Sequence, residues 1–255
     1  MQAKVTDLEK IKVGAVSYLN TKPLLYGVKR SEELLAQMEL IEEYPARIAA
    51  MLVDGTIDVG LVPVAIIPRL EEWHIVSGYC IGASQEVASV CLFSEVPVQQ
   101  VQKVLLDYQS RTSVNLCKVL MKHHWKIDPL LEDAAGEDYR SQIKGTTAGV
   151  VIGDRALQQR AFSPYIYDLA TGWIEMTGLP FVFAAWIANK QLPQNFLTAF
   201  NEANGMGLNR IQEVVAENPY DIYDLETYYT RNIDYLLTPD KLKGMHKFLD
   251  LLKHL

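Results

Sequence analysis

The sequence predicts an α/β protein of two lobes with a ligand cleft between them. Three observations predict it. From Ile11 to Val64, short apolar runs alternate with helical patterns, the signature of parallel strands joined by helical crossovers. The rhythm then breaks, because Trp73–Ile81 and Val87–Ser94 read as consecutive strands with no helix between them. A second strand–helix unit follows, and a long apolar run, Leu179–Ala188, precedes a mostly helical remainder. The chain is thus expected to leave lobe one near Val90 and return near Val182. Residues 1–91 and 184–255 then form lobe one and residues 92–183 form lobe two, with Val87–Ser94 and Leu179–Ala188 as crossing strands.

Ile11–Val16 opens the first unit as a buried parallel strand and ends at Ser17. Pro23 suits an early helix position, where its missing N–H costs nothing. Met38–Glu42 is the second strand, Ala46–Val53 a helix stopped by Gly55, and Asp58–Val64 the third strand. In the second unit Val98–Val101 begins a short helix, Val104–Asp107 is a strand, SRTS (Ser110–Ser113) starts a helix, and Val114–His123 continues it. Thr147–Ile152 is another strand, ending in Gly153-Asp154. From about Asn195 the pattern is helical, with Pro219 and Pro239 as breaks before helices.

The 255 residues fit one large domain or two small ones, and 49% hydrophobic content suits a globular core. A net charge of −7 disfavours nucleic-acid binding, which relies on basic patches, but leaves room for a locally positive cleft. Cys80, Cys91 and Cys117 form no C-x-x-C pair, and the odd count suits a reducing compartment. The first residues show no apolar export signal, and Val59–Pro68 and Leu179–Ala188 are shorter than the roughly 20 residues of a membrane span. These features predict a cytoplasmic protein without a membrane segment; they leave its oligomeric state open.

Ligands of open α/β sheets bind beyond the carboxyl ends of the strands. VSYLNTKPL places Ser17, Tyr18, Asn20 and Thr21 there, more polar groups than one helix cap requires. DYQSRTS places Ser110, Thr112 and Ser113 at a helix N-terminus, where free N–H groups and the dipole favour an anion. Arg111 beside them either grips a carboxylate or points to solvent. Asp154 follows a buried strand and either orients a ligand hydroxyl, accepts a proton, or caps the helix from Arg155. Ser89 stands on the strand expected to cross at the cleft, although alternation does not settle its face.

His74, His123, His124, His246 and His254 show no metal spacing, and the chain has no G-x-S-x-G elbow, P-loop or G-x-G-x-x-G. Hydrolase, kinase and dehydrogenase readings therefore lose their usual signatures, and no metal is expected. VSYLNTKPL, DVGLVPVA, EVASVCLFS, LLDYQSRTSV, VVIGDRAL and YDLATGWIEMTGLPFVFAAWIA together resemble the chorismate dehydratases of the futalosine route to menaquinone. SYLN-x-x-PL and W-x-x-x-TGLPFVFA carry most of that resemblance. It implies a fold similar to the type II periplasmic solute-binding proteins. It also implies a cofactor-free loss of water from chorismate, giving 3-[(1-carboxyvinyl)oxy]benzoate. Asp154 or the substrate's own enolpyruvyl carboxylate is then the base, the latter favoured because it is tethered near the proton. Asn20 and Ser17 would hold that carboxylate or the departing hydroxyl. Two other readings are a dihydroxynaphthoate synthase of the same pathway, against which the SYLN loop argues, and a non-catalytic cytoplasmic binder of small anions.

Overall fold

The computed structural model describes residues 10–255. The expectation about an export signal falls largely on residues 1–9, outside the described ones. Lobe one opens with β1 (Ile11–Val16), β2 (Met38–Glu43), β3 (Val59–Pro63) and β4 (His74–Ala83). Lobe two follows with β5 (Val90–Ser94), β6 (Lys103–Leu106), β7 (Leu130–Asp133), β8 (Thr147–Ile152) and β9 (Tyr165–Asp168). The chain then returns through β10 (Phe181–Ala188) and β11 (Asp234–Leu236). The first sheet has the order β11-β4-β10-β3-β1-β2 and the second β7-β6-β8-β5-β9.

β1 pairs in parallel with both β2 and β3, as continuous apolar runs joined by helices require. β3 is buried at every position. The helix Pro45–Val53 that leads to it starts on proline and ends one residue before Asp54. Gly55 beyond it stands at φ +76°, the left-handed turn that glycine tolerates.

The crossing strands need correction. β5 pairs only within the second sheet, with β8 and β9, and β10 pairs only within the first, with β3 and β4. The chain changes sheets in the turn 84–89 and again between Asp168 and Phe181. Val87–Ser89 leaves strand geometry because Ala88 adopts φ +63°, a conformation that ends pleating. Pro180 separates the second crossing from β10. The structure also adds β7, β9, β11 and the helix Leu169–Thr177, none marked by the sequence pattern. β7 is an edge strand exposed at all four residues, so no hydrophobic alternation betrays it.

The helix Leu169–Thr177 carries the return. Asp168 caps it by accepting the N–H groups of Ala170 and Thr171, each at 3.0 Å, and Gly178 at φ +70° ends it. Its Trp173 packs edge-on against Phe181 of β10 at 5.2 Å, and Phe181 meets Phe183 at 4.7 Å and Phe248 at 5.0 Å. Trp173, Phe181 and Phe248 are fully buried. Burying one such ring contributes roughly 1.5–3 kcal/mol. This aromatic cluster joins the lobe-two helix to β10 and the C-terminal helix Pro239–Leu252. Cys80, Cys91 and Cys117 are free and buried, as small apolar side chains would be.

Candidate active site

The carboxyl ends of β1, β3, β4 and β8 and the start of β5 converge on one cavity between the lobes. Its wall is apolar, with Leu61, Pro63, Ile81 and Phe183 prominent. Among the described residues its hydrogen-bonding side chains are Tyr18, Asn20, Thr21, Ser89, Ser110 and Ser113, and no Asp, Glu, His, Lys or Arg lines it.

Six residues expected at the site from sequence thus meet there: Tyr18, Asn20, Thr21, Ser89, Ser110 and Ser113. The Thr21 hydroxyl donates to Asn20 Oδ1 at 3.2 Å, and the Asn20 NH₂ is left to donate. Tyr235 O–H donates to the Asn20 carbonyl at 2.9 Å and pins this loop. Tyr18 donates through its hydroxyl to Gln109 Oε1, and Gln109 also accepts from Arg155 Nη2 at 3.0 Å. Arg155 pairs at 2.8 Å with Asp107, whose side chain is fully buried and which also accepts Tyr139 O–H at 2.7 Å. Burial raises the Tyr18 phenol pKa, so this hydroxyl remains a neutral donor at physiological pH.

Ser89 is held from several directions. Ala88 before it is a non-glycine residue at φ +63°, strained geometry of the kind that clusters at functional sites. Asp168 accepts the Ala88 N–H at 2.8 Å, and the Ser89 carbonyl accepts the Gly153 N–H at 2.8 Å. Burial raises the Asp168 pKa, against the N–H groups it accepts. Gly153 stands at φ +62°, and a Cβ there would lie 2.9 Å from the Tyr18 ring, so both backbone and space demand glycine.

The other expected residues lie elsewhere. Ser17 and Arg111 are exposed and absent from the cavity wall. Thr112 is fully buried, and its hydroxyl accepts the Ala65 N–H across the lobes at 3.1 Å. Asp154 is also off the wall; its Oδ1 accepts the Leu19 N–H at 3.1 Å and so ties the SYLN loop to lobe two. Burial raises its pKa, with the Leu19 N–H and Lys22 acting in the opposite direction. The sequence reading missed the apolar wall, although Pro63 and Ile81 at strand ends were available as signals.

Among the described residues no group of three His, Cys, Asp or Glu side chains is placed to hold a metal ion. None of the described helices is long and apolar enough to cross a membrane.

A family model described as menaquinone biosynthesis matches residues 11–254. A chorismate dehydratase of Thermus thermophilus is 27% identical, covering 94% of both chains. One from Campylobacter jejuni is 25% identical over 95% of this chain and 97% of its own. Among solved structures, an Archaeoglobus fulgidus protein superposes with a TM-score of 0.77 at 12% identity, covering 98% of this chain and all of its own. The periplasmic aliphatic sulphonate binding protein of Escherichia coli gives 0.61 at 12% identity, covering 96% and 92%. These structural likenesses show the two-lobed binding-protein fold.

Proposed function

The chain belongs to the menaquinone biosynthesis family, and we propose that it is a cytoplasmic chorismate dehydratase of the futalosine route. The full-length likeness to two chorismate dehydratases supports this reading. The observation that carries the mechanism is the cavity wall: among the described residues it has neutral hydrogen-bonding side chains and no carboxylate or imidazole. Elimination of water needs a proton acceptor at the carbon bearing the enolpyruvyl ether. A base must reach that proton directly or through one water. With no carboxylate or imidazole on the wall among the described residues, the tethered enolpyruvyl carboxylate of the substrate takes the role. It removes the proton, the neighbouring carbon loses its hydroxyl, the ring gains a double bond, and proton and hydroxide depart as water.

The protein's part is placement and hydrogen bonding. The Asn20 NH₂ and the Ser89 hydroxyl hold the enolpyruvyl carboxylate and the departing hydroxyl. Ser110 and Ser113, with the free N–H groups opening the helix Arg111–Leu120, hold the ring carboxylate. Asp154 positions the SYLN loop through Leu19. Well-oriented intramolecular reactions reach effective molarities of about 10⁵–10⁸ M, so placement alone accounts for a large acceleration. The chemistry is redox-neutral and calls for no cofactor. Incubating the purified protein with chorismate and following the product by chromatography is the test. Appearance of 3-[(1-carboxyvinyl)oxy]benzoate is expected; chorismate that binds but stays intact would make the protein a receptor instead.

A further inference from the structure

Three tyrosine hydroxyls from the segment Tyr220–Tyr235 reach three of the loops around the cavity. Tyr235 bonds the Asn20 carbonyl at 2.9 Å, Tyr220 the Asp154 carbonyl at 3.2 Å, and Tyr228 the Ser89 Oγ at 2.6 Å. Only the last bond ends on a side-chain atom of a residue that lines the cavity. Tyr228 itself is fully buried on the helical turn Tyr228–Asn232 and absent from the wall.

Two hydroxyls in contact share one proton between them, and the second proton needs another acceptor. If Ser89 donated to Tyr228, the phenolic proton would be left in a dry interior, a costly arrangement. If Tyr228 donates to Ser89, the leftover proton is the serine's, and Ser89 is a residue of the cavity wall. We propose that Tyr228 is a positioning residue, which fixes the Ser89 hydroxyl rotor so that its proton points at the substrate oxygen. This rests on the dehydratase reading above. Asp168 serves the same end through the backbone, since it holds the strained Ala88 that presents Ser89. The substrate thus meets a donor already aimed, with no rotor to order during the reaction.

The test is a double-mutant cycle on chorismate turnover. Tyr228→Phe keeps the ring and removes the donor; its kcat is expected to fall about tenfold with KM changed less than threefold, the scale of one neutral hydrogen bond. In a Ser89→Ala background the same change is expected to alter kcat by less than twofold, because nothing remains to be aimed. A purely structural tyrosine would lower activity equally in both backgrounds. Should Tyr228→Phe not fold, 3-fluorotyrosine at position 228 keeps the shape and strengthens the donor. A kcat that then shifts with Ser89 present but not with Ser89→Ala carries the same meaning. Full kcat in folded Tyr228→Phe, equal losses in both backgrounds, or an unmoved kcat with fluorotyrosine overturns the positioning role alone. A wild-type protein that leaves chorismate untouched overturns the dehydratase reading and the positioning role together.

Discussion

At the scale of single residues, the carboxylates nearest the site are already engaged. Asp107 is paired with Arg155, Asp168 holds Ala88 and caps a helix, and Asp154 holds Leu19. Asp154→Asn keeps an oxygen for the Leu19 N–H but cannot take up a proton as a carboxylate does. Its turnover of chorismate is expected within a few-fold of wild type, whereas Asn20→Ala loses roughly a hundredfold or more. A general base contributes about 10²–10⁴-fold, so a loss on that scale in folded, chorismate-binding Asp154→Asn would reinstate Asp154 as the base. Stability carries a second signature. Burial raises the Asp154 pKa above its ordinary 3.8, so folding favours its protonated form. The stability this group contributes is complete below the ordinary pKa and lost as pH rises through the raised one. Asparagine has no such loss. Melting curves should therefore show Asp154→Asn gaining on wild type as pH rises from about 4 to 7, and a gap independent of pH would contradict the burial effect.

At the scale of elements, the helix Arg111–Leu120 divides its first turn between two tasks. Ser110 caps it by accepting the Ser113 N–H at 3.2 Å, and both serines line the cavity. Thr112 between them points instead at the other lobe and accepts the Ala65 N–H. Thr112→Val preserves shape and leaves that N–H without its acceptor, a cost of about 1–3 kcal/mol. For a chain of this size that is a fall in Tm of roughly 2–10 °C. Ser113→Ala should instead spare Tm and raise KM for chorismate about tenfold, as one hydrogen bond to a charged group is lost. Calorimetry and steady-state kinetics on the two variants read this division, and the reverse pattern would make Thr112 the carboxylate anchor.

At the scale of the whole molecule, the lobes meet in two different ways. At the cleft, polar bonds join them: Leu19 to Asp154, Ala65 to Thr112, and Tyr18 to Gln109. Elsewhere the rings of Trp173, Phe181 and Phe248 pack across the return segment. Single hydrogen bonds contribute only about 1 kcal/mol each, whereas the buried rings contribute more, so opening should break the polar side and pivot on the aromatic one. Lids and hinges of this kind exclude water from a reaction. Small-angle scattering is expected to show a smaller radius of gyration with 3-[(1-carboxyvinyl)oxy]benzoate bound than without it. An unchanged radius in a demonstrably bound sample would count against closure.

The sequence by itself determined the α/β class and the loops that carry the site, because buried parallel strands are continuous apolar runs and ligand loops follow their carboxyl ends. SYLN and SRTS were legible for that reason, and so was the region of Ser89. Which residue of each loop faces the cavity was decided only by the tertiary structure. Asn20 lines the wall while Ser17 is exposed, and Ser113 lines it while Thr112 reaches Ala65 and Arg111 is exposed. Periodicity ends where the strand or helix ends, so it assigns no direction to a loop side chain. The crossing strands failed for a related reason, since an apolar run reports burial and not the sheet that buries it. Tyr228 left no local trace at all: it meets Ser89 across 139 residues of chain, and only packing brings the two hydroxyls together.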